Sequence, residues 1–395
     1  MCQIIFDYDL GKKFEHKGEK MINIFQPNIG NEALNNLTQV FETNWLGRGE
    51  LVHQFEKEMS HFLSLPAKNF HTIASCSDAI FGVMKIFNIG PGDKVVVPSI
   101  SFPAVGSAVL EAGAELIIAD VDPITGNLDI PKLTTLKETC ISAIFVTHYG
   151  GVPVDIDKLR REFGKGVLIF EDAACALGSF VDGKACGTMG DFGCWSFDAM
   201  KLLTCGEGGA IYIGDNSLMT RAKEYHYLGL PVKSKSGLDN SETANWWEYS
   251  ITCPGRRSVF TNVNAAIGLP QIKLLSSSVD YRAELRKNYV ELLTQLDVNF
   301  VRQECKTTTY SNYFFTILTK KRNELANFLR DNGIYTTFRY HPLHKIKIFK
   351  KFSKYSDLAG AEEFSKVALN IPIHNSLSFQ DVRNINEKLK LFFSK

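Results

Sequence analysis

Val167-Leu-Ile-Phe170-Glu171-Asp172-Ala173-Ala174 is a run of four apolar residues that ends on two carboxylates. An apolar run of this length between turn signals is the pattern of a buried strand. Asp172 then stands at the strand's carboxyl end. Similar runs occur upstream at residues 94–98, 115–120 and 141–147, with helical spacing over 104–112, 130–136 and 156–163 between them. Earlier still, a helix is predicted over 51–65, a strand over 70–75 and a helix over 76–87. Strands alternating with helices predict an α/β fold whose mostly parallel sheet is covered on both faces. Ligands bind such sheets at the carboxyl ends of the strands. Ser75, Cys76, Ser77, His148, Tyr149, Gly150 and Asp172 all fall there.

After about residue 265 the pattern changes. A long helical region runs to residue 296, followed by strands predicted at 312–318, 334–339 and 369–372. Helices are predicted at 323–330, 361–368 and from 379 onward. We therefore expect a large unit over residues 21–265 and a smaller α/β unit over 266–395. Residues 1–20, which include the charge-mixed piece 11–20, are expected to form a weakly ordered extension.

With 395 residues, 45% of them hydrophobic, the chain can bury a core large enough for two domains. A formal net charge of +1 argues against a nucleic-acid partner. The nine cysteines form no C-x-x-C pair and no zinc-type spacing, so no metal site is expected and a reducing cytoplasm fits best. No apolar stretch approaches the roughly 20 residues of a membrane span, and the N-terminus does not read as a secretory signal.

Three elements carry chemistry. Ser75-Cys-Ser77 lies at a strand-to-helix junction, where free amides and the helix dipole suit a phosphate. A plain polar cap would read the same way. Asp172 suits a charged hydrogen bond to a protonated ring nitrogen, or equally an N-cap. Lys201 stands between Ser196 and Gly206-Glu-Gly-Gly209, where a solvated surface lysine is the ordinary reading. Together, in this order and spacing, the three are what a pyridoxal phosphate site requires: an amine for the carbonyl carbon and a carboxylate for the ring nitrogen.

With these residues in place, the chain resembles the DegT/DnrJ/EryC1/StrS family of sugar aminotransferases from about residue 22 to the C-terminus. The resemblance runs through Trp45-Leu-Gly-Arg-Gly49, Gly90-Pro-Gly-Asp-Lys-Val-Val-Val-Pro-Ser99, Gly126-Asn-Leu-Asp129 and His148-Tyr-Gly150. It continues through Glu171-Asp-Ala-Ala174, Gly187-Thr-Met-Gly-Asp191, Cys194-Trp-Ser-Phe197, Lys201, Gly206-Glu-Gly-Gly209 and Ala265-Ala-Ile-Gly-Leu269. It implies the type I fold of pyridoxal-phosphate-dependent transferases, with a mostly parallel seven-stranded sheet in the large domain and a smaller C-terminal α/β domain.

The resemblance also implies roles. Lys201 would form the Schiff base with pyridoxal 5'-phosphate and shuttle the proton. Asp172 would keep the pyridine nitrogen protonated, and Phe102 would stack on the ring. The backbone at Cys76 and Ser77, with the Ser196 hydroxyl, would hold the phosphate. Three departures stand out. Cys76-Ser77 replaces the usual glycine-threonine. Cys175 replaces a glutamine or histidine that contacts the cofactor's phenolic oxygen, and a thiol is a poorer partner. Gly255-Arg256-Arg257 replaces Gly-Tyr-Asn, so Arg257 is expected to reach the other subunit's cofactor phosphate in a homodimer.

Trp45, Tyr149, Trp247, Arg256 and His341 are expected to contact substrate. The implied reaction moves an amino group from glutamate to a keto-sugar. The Trp246-Trp-Glu-Tyr249 and Gly-Arg-Arg runs resemble the type that makes 8-amino-3,8-dideoxy-octulosonate, which favours a keto-sugar acid slightly over a nucleotide-linked keto-hexose. Deoxysugar dehydratases of the same fold carry histidine in place of the lysine, so Lys201 argues against that chemistry. It argues equally against a non-catalytic regulator.

Overall fold

The computed structural model describes residues 15–16, 19–231, 250–303, 308–352 and 357–394. Seven strands form the central sheet: β1 (Phe70–Ile73), β2 (Lys94–Pro98), β3 (Glu115–Ala119), β4 (Ala143–Thr147), β5 (Leu168–Asp172), β6 (Phe192–Ser196) and β7 (Gly209–Tyr212). Their order is β1-β7-β6-β5-β4-β2-β3. Only β7 runs antiparallel to its neighbours, pairing with β6 and β1. The carboxyl ends of β1, β2, β4, β5 and β6 therefore open on one edge.

The valine- and isoleucine-rich strands are buried on both faces, as helices on each side require. Alternate residues separate cleanly. Val95, Val97, Phe145 and Phe170 pack with α3 (Cys76–Ile86) and α4 (Pro103–Glu111). Val96, Ile144, Val146 and Ile169 pack on the other face with α6 (Ile156–Phe163). In chain order the remaining early helices are α1 (Asn31–Thr43), α2 (Glu50–Phe62), the short α5 (Ile130–Leu133) and α7 (Asn216–Tyr225).

The long helical region after residue 265 is two helices, α8 (Asn262–Ile272) and α9 (Leu275–Gln295). The boundary expected at residue 265 falls inside α8, which packs on α1 and α2. Beyond it, β8 (Asn299–Phe300), β9 (Phe315–Leu318) and β10 (Ala368–Ile371) form an antiparallel sheet in that order. Helices α9, α10 (Arg322–Asp331), α11 (Ala359–Val367) and α12 (Phe379–Phe393) share its core.

The strand expected at 334–339 does not form. Ile334 bridges Ile22 in parallel while Thr337 bridges Asn370 antiparallel, so the two ends of the segment are held by different partners and no ladder extends. Of the expected N-terminal extension, a short antiparallel pairing of residues 15–16 with 19–20 is described; the rest lies outside the described residues.

Three buried histidines make stability depend on pH. Burial lowers His71 to about 4, aided by the Arg48 charge and opposed by Glu56. Burial likewise lowers His226 to about 3 and His374 to about 4. In the unfolded chain each titrates near 6.5. Between these values the unfolded chain binds more protons, so stability is full above pH 6.5 and falls as pH drops toward 4. At pH 5 each histidine should cost about 2 kcal/mol. Urea unfolding should therefore show a clearly lower midpoint at pH 5 than at pH 7.5. Equal midpoints would mean that the three titrate as in water.

Candidate active site

The turn from β1 into α3 is shaped by Ser75, whose Oγ accepts the Asp78 amide at 3.1 Å. A helix's first amides have no carbonyl one turn back, so those of Cys76 and Ser77 remain to meet an anion. Gly209 at the start of β7 presses against this turn. A Cβ there would lie 2.4 Å from the Cys76 nitrogen, so only glycine lets the strand come so close.

Asp172 ends β5, buried to 4% exposure. One of its carboxylate oxygens accepts the Ala174 amide at 3.0 Å. Burial raises its pKa, opposed by that amide and by the Lys201 charge. Beside it, the Cys76 and Cys194 thiols touch at 3.6 Å, and the three groups bring their ligand atoms within 4.8 Å of one another.

The neighbouring Glu171 points the other way. It accepts the amides of Gly187, Met189 and Gly190 at 2.9, 2.7 and 2.5 Å. Its second partner is His148, with Nε2 at 2.9 Å. Because His148 Nδ1 accepts the Val154 amide at 3.1 Å, Nε2 carries the proton and donates to Glu171. The Gly187–Asp191 motif is thus the cradle of a buried carboxylate that supports β5 beneath Asp172.

Lys201 follows β6 in a tight turn, its amide bonded to the Asp198 carbonyl at 3.0 Å. The side chain is buried, against the ordinary expectation for a lysine before a glycine turn. Nζ lies 3.5 Å from the Tyr313 hydroxyl, 4.7 Å from that ring's centroid and 3.9 Å from Cys175 Sγ. Desolvation pulls its pKa down; the surrounding Cys175, Tyr313 and Tyr340 and the Asp198 carboxylate outweigh this and hold it well above the usual lysine range. Tyr340 closes the group, its hydroxyl 3.9 Å from Cys175 Sγ and its ring edge-on to Phe102 at 5.7 Å. Phe102, at the N-cap of α4, is 45% exposed on the same edge of the sheet, an open ring face where most large apolar side chains are covered. Ser196 ends β6 and is buried.

The model of the DegT/DnrJ/EryC1/StrS aminotransferase family matches residues 27–390. The chain is 34% identical over 377 residues, 94% of its length and 96% of the relative's, to the dTDP-4-dehydro-2,3,6-trideoxy-D-glucose 4-aminotransferase of Saccharopolyspora spinosa. It belongs to the DegT/DnrJ/EryC1/StrS aminotransferase family. The aminotransferase TlmJ of Streptoalloteichus hindustanus superposes with a TM-score of 0.87 at 36% identity, covering 95% of this chain and 99% of that one. The putative sugar aminotransferase Spr1654 of Streptococcus pneumoniae, solved in PLP and PMP forms, shares the fold at TM-scores of 0.84 and 0.85. Its identity is 22%, with coverage of 95% of this chain and 99% and 98% of the two forms. Membership makes the chain a sugar aminotransferase of the pyridoxal-phosphate-dependent kind.

The structure brings Cys76, Ser77, Phe102, Asp172, Ser196 and Lys201 of this family member to one edge of the sheet. It does not bring all the expected substrate residues there. Tyr149 is buried: its hydroxyl donates to the Arg339 carbonyl and its ring packs on Phe314 and Phe364 at 5.0 and 5.4 Å. Arg256 is not free for a substrate acid. It bonds Glu111 at 2.5 Å, lies 3.8 Å from Asp78 and covers Phe81.

Trp45 is exposed, with Nε1 donating to the Arg48 carbonyl at 2.8 Å. His341 is exposed, while His344 ties Ser99 to Glu362 at 2.7 and 2.9 Å as a structural clamp. Arg257 is exposed and lies over Tyr227 at 5.2 Å. Trp247 lies outside the described residues. Sequence reasoning missed Tyr313, Arg339 and Tyr340. They come from the C-terminal unit more than 100 residues after Lys201, and no motif spacing marks them. No described helix is long and apolar enough to cross a membrane.

Proposed function

We propose that the chain binds pyridoxal 5'-phosphate at this edge and moves an amino group from glutamate to a nucleotide-linked keto-hexose. One observation carries the reading: a buried lysine amine, a buried carboxylate and a helix N-terminus with spare amides converge where the strands end. When bound, the cofactor supplies an electron-withdrawing ring that carries the amino group between donor and acceptor. The residues present fit it. Cys76 and Ser77 amides and the Ser196 hydroxyl would hold the phosphate, and Asp172 would keep the ring nitrogen protonated. Phe102 would cover one ring face. Lys201 would hold the aldehyde carbon and then carry the proton to and from the substrate carbon. Tyr313, Tyr340 and Arg339 close the site from the C-terminal unit, which supports a large and a small unit meeting around it, with the division after α8 rather than at residue 265.

The 34% identical relative is named for a dTDP-linked keto-sugar, which favours a nucleotide-linked acceptor. The keto-sugar-acid reading, 8-oxo-3-deoxy-octulosonate, rests on the Trp246–Tyr249 and Gly-Arg-Arg runs, and no relative reported above is named for such a substrate. We further propose a homodimer. Leu34, Phe41, Trp45 and Leu46 form an exposed apolar strip on α1 and the turn after it, the kind of surface that pairs. Exposed Arg257 would then reach the partner's cofactor phosphate.

Keto-sugar nucleotides and keto-sugar acids should be offered with glutamate and followed by mass spectrometry. Amino-sugar nucleotide should form, and amino-sugar acid should not. The reverse would overturn the substrate reading. In the same assay Arg257→Ala should retain less cofactor after gel filtration, and full retention would remove Arg257 from the site.

A further inference from the structure

We propose that the Tyr313 hydroxyl donates the hydrogen bond to the cofactor's phenolic oxygen, replacing the side chain at position 175. This rests on Lys201 carrying pyridoxal phosphate. In that molecule the carbon joined to the lysine and the phenolic oxygen sit on adjacent ring atoms, so the oxygen lies beside the lysine nitrogen. A donor to it must stand near Nζ. The Tyr313 hydroxyl does, at 3.5 Å, closer than Cys175 Sγ at 3.9 Å. A thiol is also a weak donor.

Tyr313 is held for this task. It is 2% exposed, and its ring stacks on Phe25 at 5.0 Å and 22°. Its amide donates to the Gly150 carbonyl at 3.2 Å. Two residues earlier, Ser311 Oγ donates to the carbonyl of Cys175 itself at 2.8 Å, and the Ser311 amide to Ser179 Oγ at 2.9 Å. The segment bearing Tyr313 is therefore bolted to the turn that bears Cys175. Burial raises the phenol's pKa, opposed by the Lys201 charge, so the hydroxyl keeps its proton and can donate. Tyr340 lies 3.9 Å from the same thiol and packs T-shaped with Phe102, and among the described residues no hydrogen bond joins its hydroxyl to Nζ.

A hydrogen bond to the phenolic oxygen draws charge from it and weakens its hold on a proton at the adjacent nitrogen. That nitrogen then loses its proton at lower pH. The test is a pH titration of the visible absorption of the full-length, cofactor-loaded protein. Tyr313→Phe should raise the midpoint by about one unit or more, a tenfold gain in proton affinity. The double variant Tyr313→Phe/Cys175→Gln should bring it back toward the unmutated value.

An unmoved midpoint in a Tyr313→Phe protein that keeps its cofactor band would overturn the proposal. If that variant does not load, Cys175→Gln alone decides. With Tyr313 already donating, the midpoint should stay nearly constant, whereas a fall of about one unit would reveal a vacant acceptor and sink the idea. A wild-type protein with no visible band would instead fail the cofactor reading beneath it.

Discussion

Lys201→Ala should abolish the visible band of the bound cofactor and cut turnover by at least ~10³-fold. Two losses combine. The cofactor loses its covalent tether, and the reacting carbon loses the group that moves its proton, a role worth ~10²–10⁴-fold by itself. No neighbour can substitute. Burial holds the thiol of Cys175 above its ordinary pKa, and the Tyr313 and Tyr340 phenols are raised as well. None of them is an amine. Thermal unfolding of the cofactor-free protein should change little, because among the described residues the hydrogen bonds of Nζ, to Tyr313 and Cys175, are long. Spectra and single-turnover transamination with glutamate check the result. A variant retaining more than about a hundredth of normal turnover would take Lys201 out of the chemistry.

Asp172→Asn should leave the cofactor attached and lower turnover by ~10²–10³-fold. The change preserves shape and the Ala174 contact but removes the charge. A buried charge pair that loses one partner costs ~3–5 kcal/mol, and here the stranded partner would be the ring nitrogen's proton. The carboxylate's environment matters to this argument. Burial raises its pKa, and a cation placed against it, such as a protonated ring, is what would restore its charge. Near-normal kcat in Asp172→Asn would show that the ring works unprotonated here. Loss of cofactor binding, with kcat intact at saturation, would make the residue a holder only.

Much of the architecture was legible before any coordinates. Val95-Val-Val97, Ile144-Phe-Val146 and Leu168-Ile-Phe170 are apolar on consecutive positions in short, β-branched or aromatic runs between turn signals, the pattern of a strand buried on both faces. The end of the last of them placed Asp172 at the sheet's carboxyl edge; the β1–α3 turn came from the separate strand and helix expected at 70–75 and 76–87, and Phe102 from the family resemblance. The segment 334–339 was misleading because its residues suit a strand, yet pairing depends on what lies alongside. Ile22 and Asn370 each take one residue of it. The surroundings of Tyr149 were hidden for a similar reason: it follows β4 at the sheet's edge, but Phe314 and Phe364, which cover it, lie far along the chain. Arg256 could not be judged from its own neighbourhood, since Glu111 lies 145 residues away.

By itself, the sequence determined the sheet and its carboxyl edge, because these rest on local periodicity; the lysine–aspartate pair and the family rest on motifs matched in order along the chain. Only the tertiary structure decided who surrounds Lys201. Tyr313, Tyr340 and Arg339 arrive from a separate chain segment, and burial rather than spacing sets their protonation and reach. The apolar run that begins with Val167 thus marked the edge where the candidate site gathers, and the packing of the C-terminal unit over that edge sets what surrounds Lys201.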